Sequence, residues 1–108
     1  MSRGDFVTVA LQGDFGEPRP ALVIQADPFA EHAMVTLLLA SSALIEAPLL
    51  RVTVAPDAAN GLRQPSQIMI DKTMTVMRTK IGEAFGRLEA DAMLEVERRL
   101  AVFLGIAK

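Results

Sequence analysis

The chain has no cysteine, no tryptophan, no tyrosine and a single histidine among its 108 residues. Without thiols there are neither disulfides nor thiolate chemistry, so cysteine usage leaves the redox compartment open. One histidine and scattered carboxylates make no credible metal-ligand set, and no metal is expected. No glycine-rich phosphate loop stands before a helical segment, which argues against nucleotide hydrolysis, and no cofactor is expected. Five phenylalanines are the only aromatic residues and leave little material for stacking nucleic-acid bases. The longest predominantly apolar run, Met34 to Ala40, is far short of a membrane span. Met1-Ser2-Arg3-Gly4-Asp5 does not read as a secretory signal, because no uninterrupted apolar stretch with a cleavage site follows it. A cytoplasmic protein without membrane contact is the expectation.

What is present suits one folded domain over residues 1–108, with 51% hydrophobic and 22% charged residues. Fewer than half of the side chains can enter one core of this size. Apolar surface should therefore remain for a partner, in a homodimer or a tight complex. The net charge of −2 argues against a constitutive nucleic-acid coat protein. Charge is unevenly distributed, however. Arg51, Arg63, Lys72, Arg78 and Lys80 fall within one stretch that holds only Asp57 and Asp71 as acids, enough for a locally basic face.

Along the chain, Phe6 to Leu11 is rich in β-branched residues and predicts a strand with Val7, Val9 and Leu11 on one face. Gln12 to Pro18 carries Gly13, Gly16 and Pro18 and predicts a mobile loop. Further strands are expected over Ala21–Gln25, with Pro20 at the entry, and over Met34–Ala40, Leu49–Val54, Ser66–Asp71 and Thr73–Met77. Ala55 to Gly61 is turn chemistry. Ile81 to Leu88, interrupted by Gly82 and Gly86, reads equally as helix or strand. From Ala90 to Leu104, Met93, Val96, Leu100 and Phe103 recur at helical spacing, Glu95 and Arg99 stand four apart, and Gly105 ends the helix. Short strands followed by one terminal helix describe a small, strongly curved antiparallel sheet capped by that helix.

A few residues stand out as chemistry-bearing. Arg19 is flanked by Pro18 and Pro20, which stiffen the backbone that carries it. Ser41 and Ser42 end a strand, where hydroxyls either cap a turn or face a ligand. Asp71 and Lys72 close a later strand. Asp14 and Glu17 lie in the first loop with Phe15, the aromatic residue best placed to meet a nucleic acid. His32, in a later loop, reads as a surface residue.

Taken in order, a strand, a flexible loop, Arg19-Pro20 opening the next strand, Ser41-Ser42 at a strand end and Asp71-Lys72 later, the chain resembles the MazF/PemK toxins of bacterial type II toxin–antitoxin systems. The resemblance implies a mainly β fold with α (α+β), a small SH3-like antiparallel barrel of five to seven strands with a C-terminal helix. It also implies a homodimer, a cognate antitoxin as partner, and metal-independent cleavage of single-stranded RNA to 2′,3′-cyclic phosphate and 5′-hydroxyl ends. Such cleavage needs a base for the 2′-hydroxyl, charge neutralisation on the phosphate and stabilisation of the leaving oxygen. By resemblance Arg19 contacts the scissile phosphate, and Ser41 occupies a position usually held by Thr. Asp71 matches a base proposed in the PemK branch, but Met69 stands where that branch has an assisting Arg. Glu17 is the alternative base, while Asp14, Phe15, Ser42, Arg63 and Lys72 are expected to bind substrate. CcdB, the gyrase poison of the same fold, is the rival. Leu39-Ala40-Ser41 and Phe103-Leu104-Gly105-Ile106 are similar to it, but Leu104 replaces the Trp of its ending. A non-catalytic binding module on the same fold is the third possibility.

Overall fold

The computed structural model describes residues 1–11 and 17–107. Six strands form one antiparallel sheet: β1 (Asp5–Val9), β2 (Arg19–Val23), β3 (Met34–Ser41), β4 (Arg51–Val54), β5 (Ser66–Met77) and β6 (Ile81–Arg87). Their spatial order is β4-β5-β3-β2-β1-β6, and the helix α1 (Ala90–Phe103) follows. The mainly β architecture with a terminal helix is the one expected. Strand pairing leaves the sheet open, because β4 and β6 are its two edges. The loop after β4 bridges part of that gap instead, with the Arg87 amide donating to the Ala59 carbonyl at 2.8 Å.

Strand alternation sends side chains to both faces, and both faces are buried. Phe6, Leu22, Leu38, Ile68 and Ile70 pack beneath Val96 and Leu100 of α1. Val7, Val9, Ala21, Val23, Val35, Leu37 and Leu39 form a second cluster, with Leu11, Met74, Val76 and Ile81 at its margin. The run predicted from Met34 to Ala40 is therefore apolar for the expected reason: Leu37 to Ala40 serve two cores at once.

Two departures from the sequence reading, and one point that it left open, have local causes. First, β4 begins at Arg51 rather than Leu49. The amides of Leu50 and Arg51 both donate to the Ala47 carbonyl, closing a turn that leaves Leu49 79% exposed. Second, Asp71 does not end a strand. β5 is continuous for 12 residues, and its register against β3 jumps from Leu38 opposite Thr73 to Ala40 opposite Ile68. The surplus residues form a bulge that contains Asp71 and Lys72. Third, Ile81 to Arg87 is a strand, reached through a 3-10 turn at Arg78–Lys80. Its glycines mark close approach rather than interruption. A Cβ on Gly82 would overlap the Thr8 hydroxyl, and one on Gly86 would overlap the Asn60 carbonyl.

Asn60 anchors the bridging loop. It is 2% exposed, its Oδ1 accepts from the amides of Asp57 (3.1 Å) and Leu62 (2.9 Å), and its Nδ2 donates to the Ala55 carbonyl (2.9 Å). At the end of α1, Gly105 adopts φ +76°. Its amide donates to Val102 and that of Ile106 to Ala101, a Schellman closure. The Glu95–Arg99 pair forms at 2.8 Å as its spacing predicts, and the Arg99 hydrogen bond lowers the pKa of Glu95 below the usual range. Phe103 does not join the buried stripe; it is 48% exposed beside Val102, Leu104 and Ile106.

Candidate active site

An open cleft of about 650 Å³ lies where the start of β2, the end of β3 and the loop before β5 meet. Sheet register assembles it. β2 and β3 pair from Val23 opposite Leu37 to Ala21 opposite Leu39, and Arg19 and Ser41 each lie two residues beyond that last pair, at the same end of the two strands. Arg19, Ser41, Ser42 and Arg63, four of the residues singled out in the sequence, line the cleft. Arg19 and Arg63 carry its charge. Among the described residues no carboxylate and no histidine lines it.

The Ser41 hydroxyl accepts a hydrogen bond from the Ala43 amide at 3.1 Å. It therefore caps a turn while lining the cleft, and among the described residues no acceptor takes its proton. Ser66, opposite Ser42 by the β3–β5 register, is 5% exposed and donates to the Gln64 carbonyl at 3.0 Å. That bond shapes the turn bearing Arg63 and Gln64.

Glu17 is exposed and stands two residues before Arg19, preceding the cleft-lining Pro18. Asp14 and Phe15 lie outside the described residues, with most of the first loop.

Asp71 and Lys72 are not among the lining residues. Five residues of β5 separate Asp71 from Ser66, on the order of 15 Å along a strand. Asp71 Oδ1 is paired with Arg51 Nη1 at 2.5 Å, with the two side chains 25% and 12% exposed. Desolvation would raise the pKa of Asp71, but the hydrogen bond and positive charge of Arg51 outweigh it and hold the carboxyl below its ordinary value. A carboxylate so held is a weak base with its oxygen already engaged. Stability from a depressed acid is present above the unfolded pKa, 3.8, and is lost as pH falls through the folded value. Asp71→Asn should therefore lower stability by about 1–2 kcal/mol at pH 7. Denaturant titrations at several pH values should show that deficit vanishing in acid.

The basic stretch is divided among separate tasks. Arg51 serves Asp71, and Arg78 donates to the carbonyls of Ala30 and His32, stitching the loop before β3 to the end of β5. Arg63 alone of that stretch lines the cleft; Lys72 and Lys80 are exposed elsewhere. His32 accepts from the Met34 amide through Nδ1 at 3.0 Å, the surface turn role expected of it.

Thr8, Leu62, Gln64, Ser66 and Phe85 also line the cleft, and none was singled out from the sequence. Phe85 was hidden by the undecided structure of its segment. Gly61, with φ +69°, marked the turn that delivers Leu62, Arg63 and Gln64.

Comparison with known proteins identifies the fold and the family. Residues 2–104 match the family model described as PemK-like, MazF-like toxin of type II toxin-antitoxin system. The chain is 44% identical, over 99% of both lengths, to a probable endoribonuclease MazF of Mycolicibacterium smegmatis. The fold matches the Mycobacterium tuberculosis toxin MazF-mt6 with a TM-score of 0.81 at 23% identity, covering 96% of this chain and 99% of that one. It matches an endoribonuclease solved with its cognate antitoxin, from a mycobacterial species, with a TM-score of 0.83 at 18% identity, covering 100% and 98% of the two chains. A conserved backbone plan at such low identity speaks for the fold, and the near-complete family match decides the rest: the chain belongs to the PemK-like, MazF-like toxins of type II toxin–antitoxin systems.

Proposed function

We propose that the chain is a single-domain endoribonuclease toxin that cuts single-stranded mRNA without a metal, arresting translation and growth. The observation that carries this reading is that Arg19 at the start of β2 and Ser41 at the end of β3 line one cleft, free of acidic side chains among the described residues. Arg19 donates its planar fork to two phosphate oxygens, and Ser41 adds a hydroxyl donor. Ser42 and Arg63 extend the contact along the chain of phosphates. A base takes the proton of the neighbouring 2′-hydroxyl as that oxygen bonds to phosphorus. The bond from phosphorus to the 5′-oxygen breaks, leaving a 2′,3′-cyclic phosphate, and the departing oxygen takes up a proton to become a 5′-hydroxyl.

Glu17 is the favoured base, being unpaired in the described hydrogen bonds and close in sequence to Arg19, whereas Asp71 is bound to Arg51. Glu17→Gln should slow cleavage about 100-fold. It should leave the binding of an RNA oligomer with a 2′-deoxy residue at the cut unchanged, which single-turnover rates and a binding titration will separate.

The relative's name, probable endoribonuclease, supports the activity, and the solved complex with an antitoxin supports such a partner. An acidic antitoxin segment suits a cleft charged by two arginines. The exposed apolar end of α1, Val102 to Ile106, supports a homodimer. No described helix is long and apolar enough to cross a membrane, and a cytoplasmic site of action follows from an mRNA target.

The test is incubation of purified protein with a long single-stranded RNA in excess chelator, with the new ends identified chemically. Discrete cuts leaving cyclic phosphate and 5′-hydroxyl ends are expected. Intact RNA beside a folded protein would overturn the proposal.

A further inference from the structure

The cleft contains an aromatic surface that the phosphate chemistry does not use. Phe85 lines it, 38% exposed, on a wall built by β6. The ring is backed by Phe6, which is fully buried; their centroids are 6.0 Å apart and the planes 23° from parallel. Gly61 packs against its edge, so closely that a Cβ there would come within 3.0 Å of Phe85 Cδ1. One face is therefore held by the core and the edge by a turn, while the remainder looks into the cleft. Phe29 and Phe103, also exposed, do not line it.

Topology relates this ring to the phosphate cradle. The sheet runs β6-β1-β2-β3, so Phe85 lies three strand spacings from Ser41, about 14 Å. Between them the floor is Thr8, Pro20 opposite it, and Ala40. These are small or ring-shaped side chains that offer no charge, which suits a sugar and base rather than a second phosphate. An apolar ring with a fixed orientation stacks on any base without losing rotamer freedom on binding.

We propose that Phe85 is the stacking platform for a base of the bound RNA, one or two nucleotides from the phosphate held by Arg19 and Ser41; this rests on the ribonuclease reading above. Phe85 then adds affinity and positions the scissile phosphate, with little choice among bases. Phe85→Leu keeps apolar bulk over Phe6 and removes the π face, and a circular-dichroism melt checks that it folds.

The experiment is binding, by fluorescence anisotropy, to an oligomer spanning a mapped cut, with a 2′-deoxy residue blocking attack. Phe85→Leu should bind about tenfold more weakly than the parent, and Phe85→Trp as well as the parent. Oligomers with a single abasic site at each position flanking the cut supply the decisive comparison. At one position the parent should lose about the same factor, and the leucine variant should lose nothing further. Equal affinity of Phe85→Leu and parent for the complete oligomer would overturn the proposal. So would a loss on Phe85→Leu that persists for every abasic analogue. A parent that neither binds nor cuts RNA would instead overturn the ribonuclease reading, and the platform with it.

Discussion

Arg19→Ala should leave a folded toxin that cuts RNA about 1,000-fold more slowly than the parent. Arg19 and Arg63 both bring a permanent charge and a bidentate donor fork to the cleft, but only Arg19 stands at a strand start stiffened by flanking prolines, and the charge developing on the phosphate in the transition state is what such a fork stabilises. Its loss should fall mainly on the rate constant of bound RNA, because in the proposed site Arg63 and the Ser41 and Ser42 hydroxyls, which line the same cleft, would still hold the strand. Arg19→Lys is the sharper variant. Lysine keeps the charge but replaces the fork with a point donor, so a partial rescue, well short of the parent, is expected. Folding should be little disturbed, since Arg19 opens its strand and is only partly buried. Single-turnover cleavage with saturating protein reads the effect directly. A rate within a few-fold of the parent would remove Arg19 from the centre of the reaction.

The largest expected effect on stability comes from Gly86, next to the cleft-lining Phe85. Gly86 has an ordinary φ, so its need for glycine is a matter of space alone. A Cβ there would run into the Asn60 carbonyl and lie 2.8 Å from the Gly61 nitrogen, both main-chain groups that cannot rotate aside. They belong to the loop that Asn60 fixes and that bridges to β6 through Arg87. Gly86→Ala should therefore cost about 3 kcal/mol or more, lowering Tm by roughly 12 °C. It should also impair RNA binding at temperatures where the protein remains folded, because the displaced loop carries Arg63 and Phe85 forms the adjoining wall. Gly105 provides the contrasting case. Its φ is +76° and nothing lies within 4 Å of its would-be Cβ, so Gly105→Ala should cost only about 1 kcal/mol. Thermal melts of the two variants distinguish main-chain overlap from conformational preference.

Much of the architecture was legible from the chain alone because it is local. β-branched residues with alternating partners marked β1, and an unbroken apolar run marked β3. Helical spacing with a terminal glycine marked α1, down to the Glu95–Arg99 pair. Each follows from propensities and periodicities among residues a few positions apart. Arg19 between two prolines and the hydroxyls of Ser41 and Ser42 were visible in the same way, as side chains at strand ends.

What depended on distant partners required the tertiary structure. Nothing near Arg19 in sequence reveals that Ser41 lines the same cleft; the antiparallel pairing of β2 with β3, which brings the start of one to the end of the other, does. Asp71 looked like the end of a strand because its neighbours break the apolar pattern, but the bulge in β5 turns that break into an ion pair with Arg51. Gly82 and Gly86 looked like interruptions and proved to be points of contact with Thr8 and Asn60. Phe85 gained its place in the cleft only when β6 settled against β1 and its ring came to rest on Phe6. The sequence by itself determined the kinds of element and the chemical groups at their ends, since these are decided by short-range sterics and hydrophobic periodicity. The tertiary structure decided which of those groups share a site, since register, bulges and main-chain close approach are set by contacts between residues tens of positions apart.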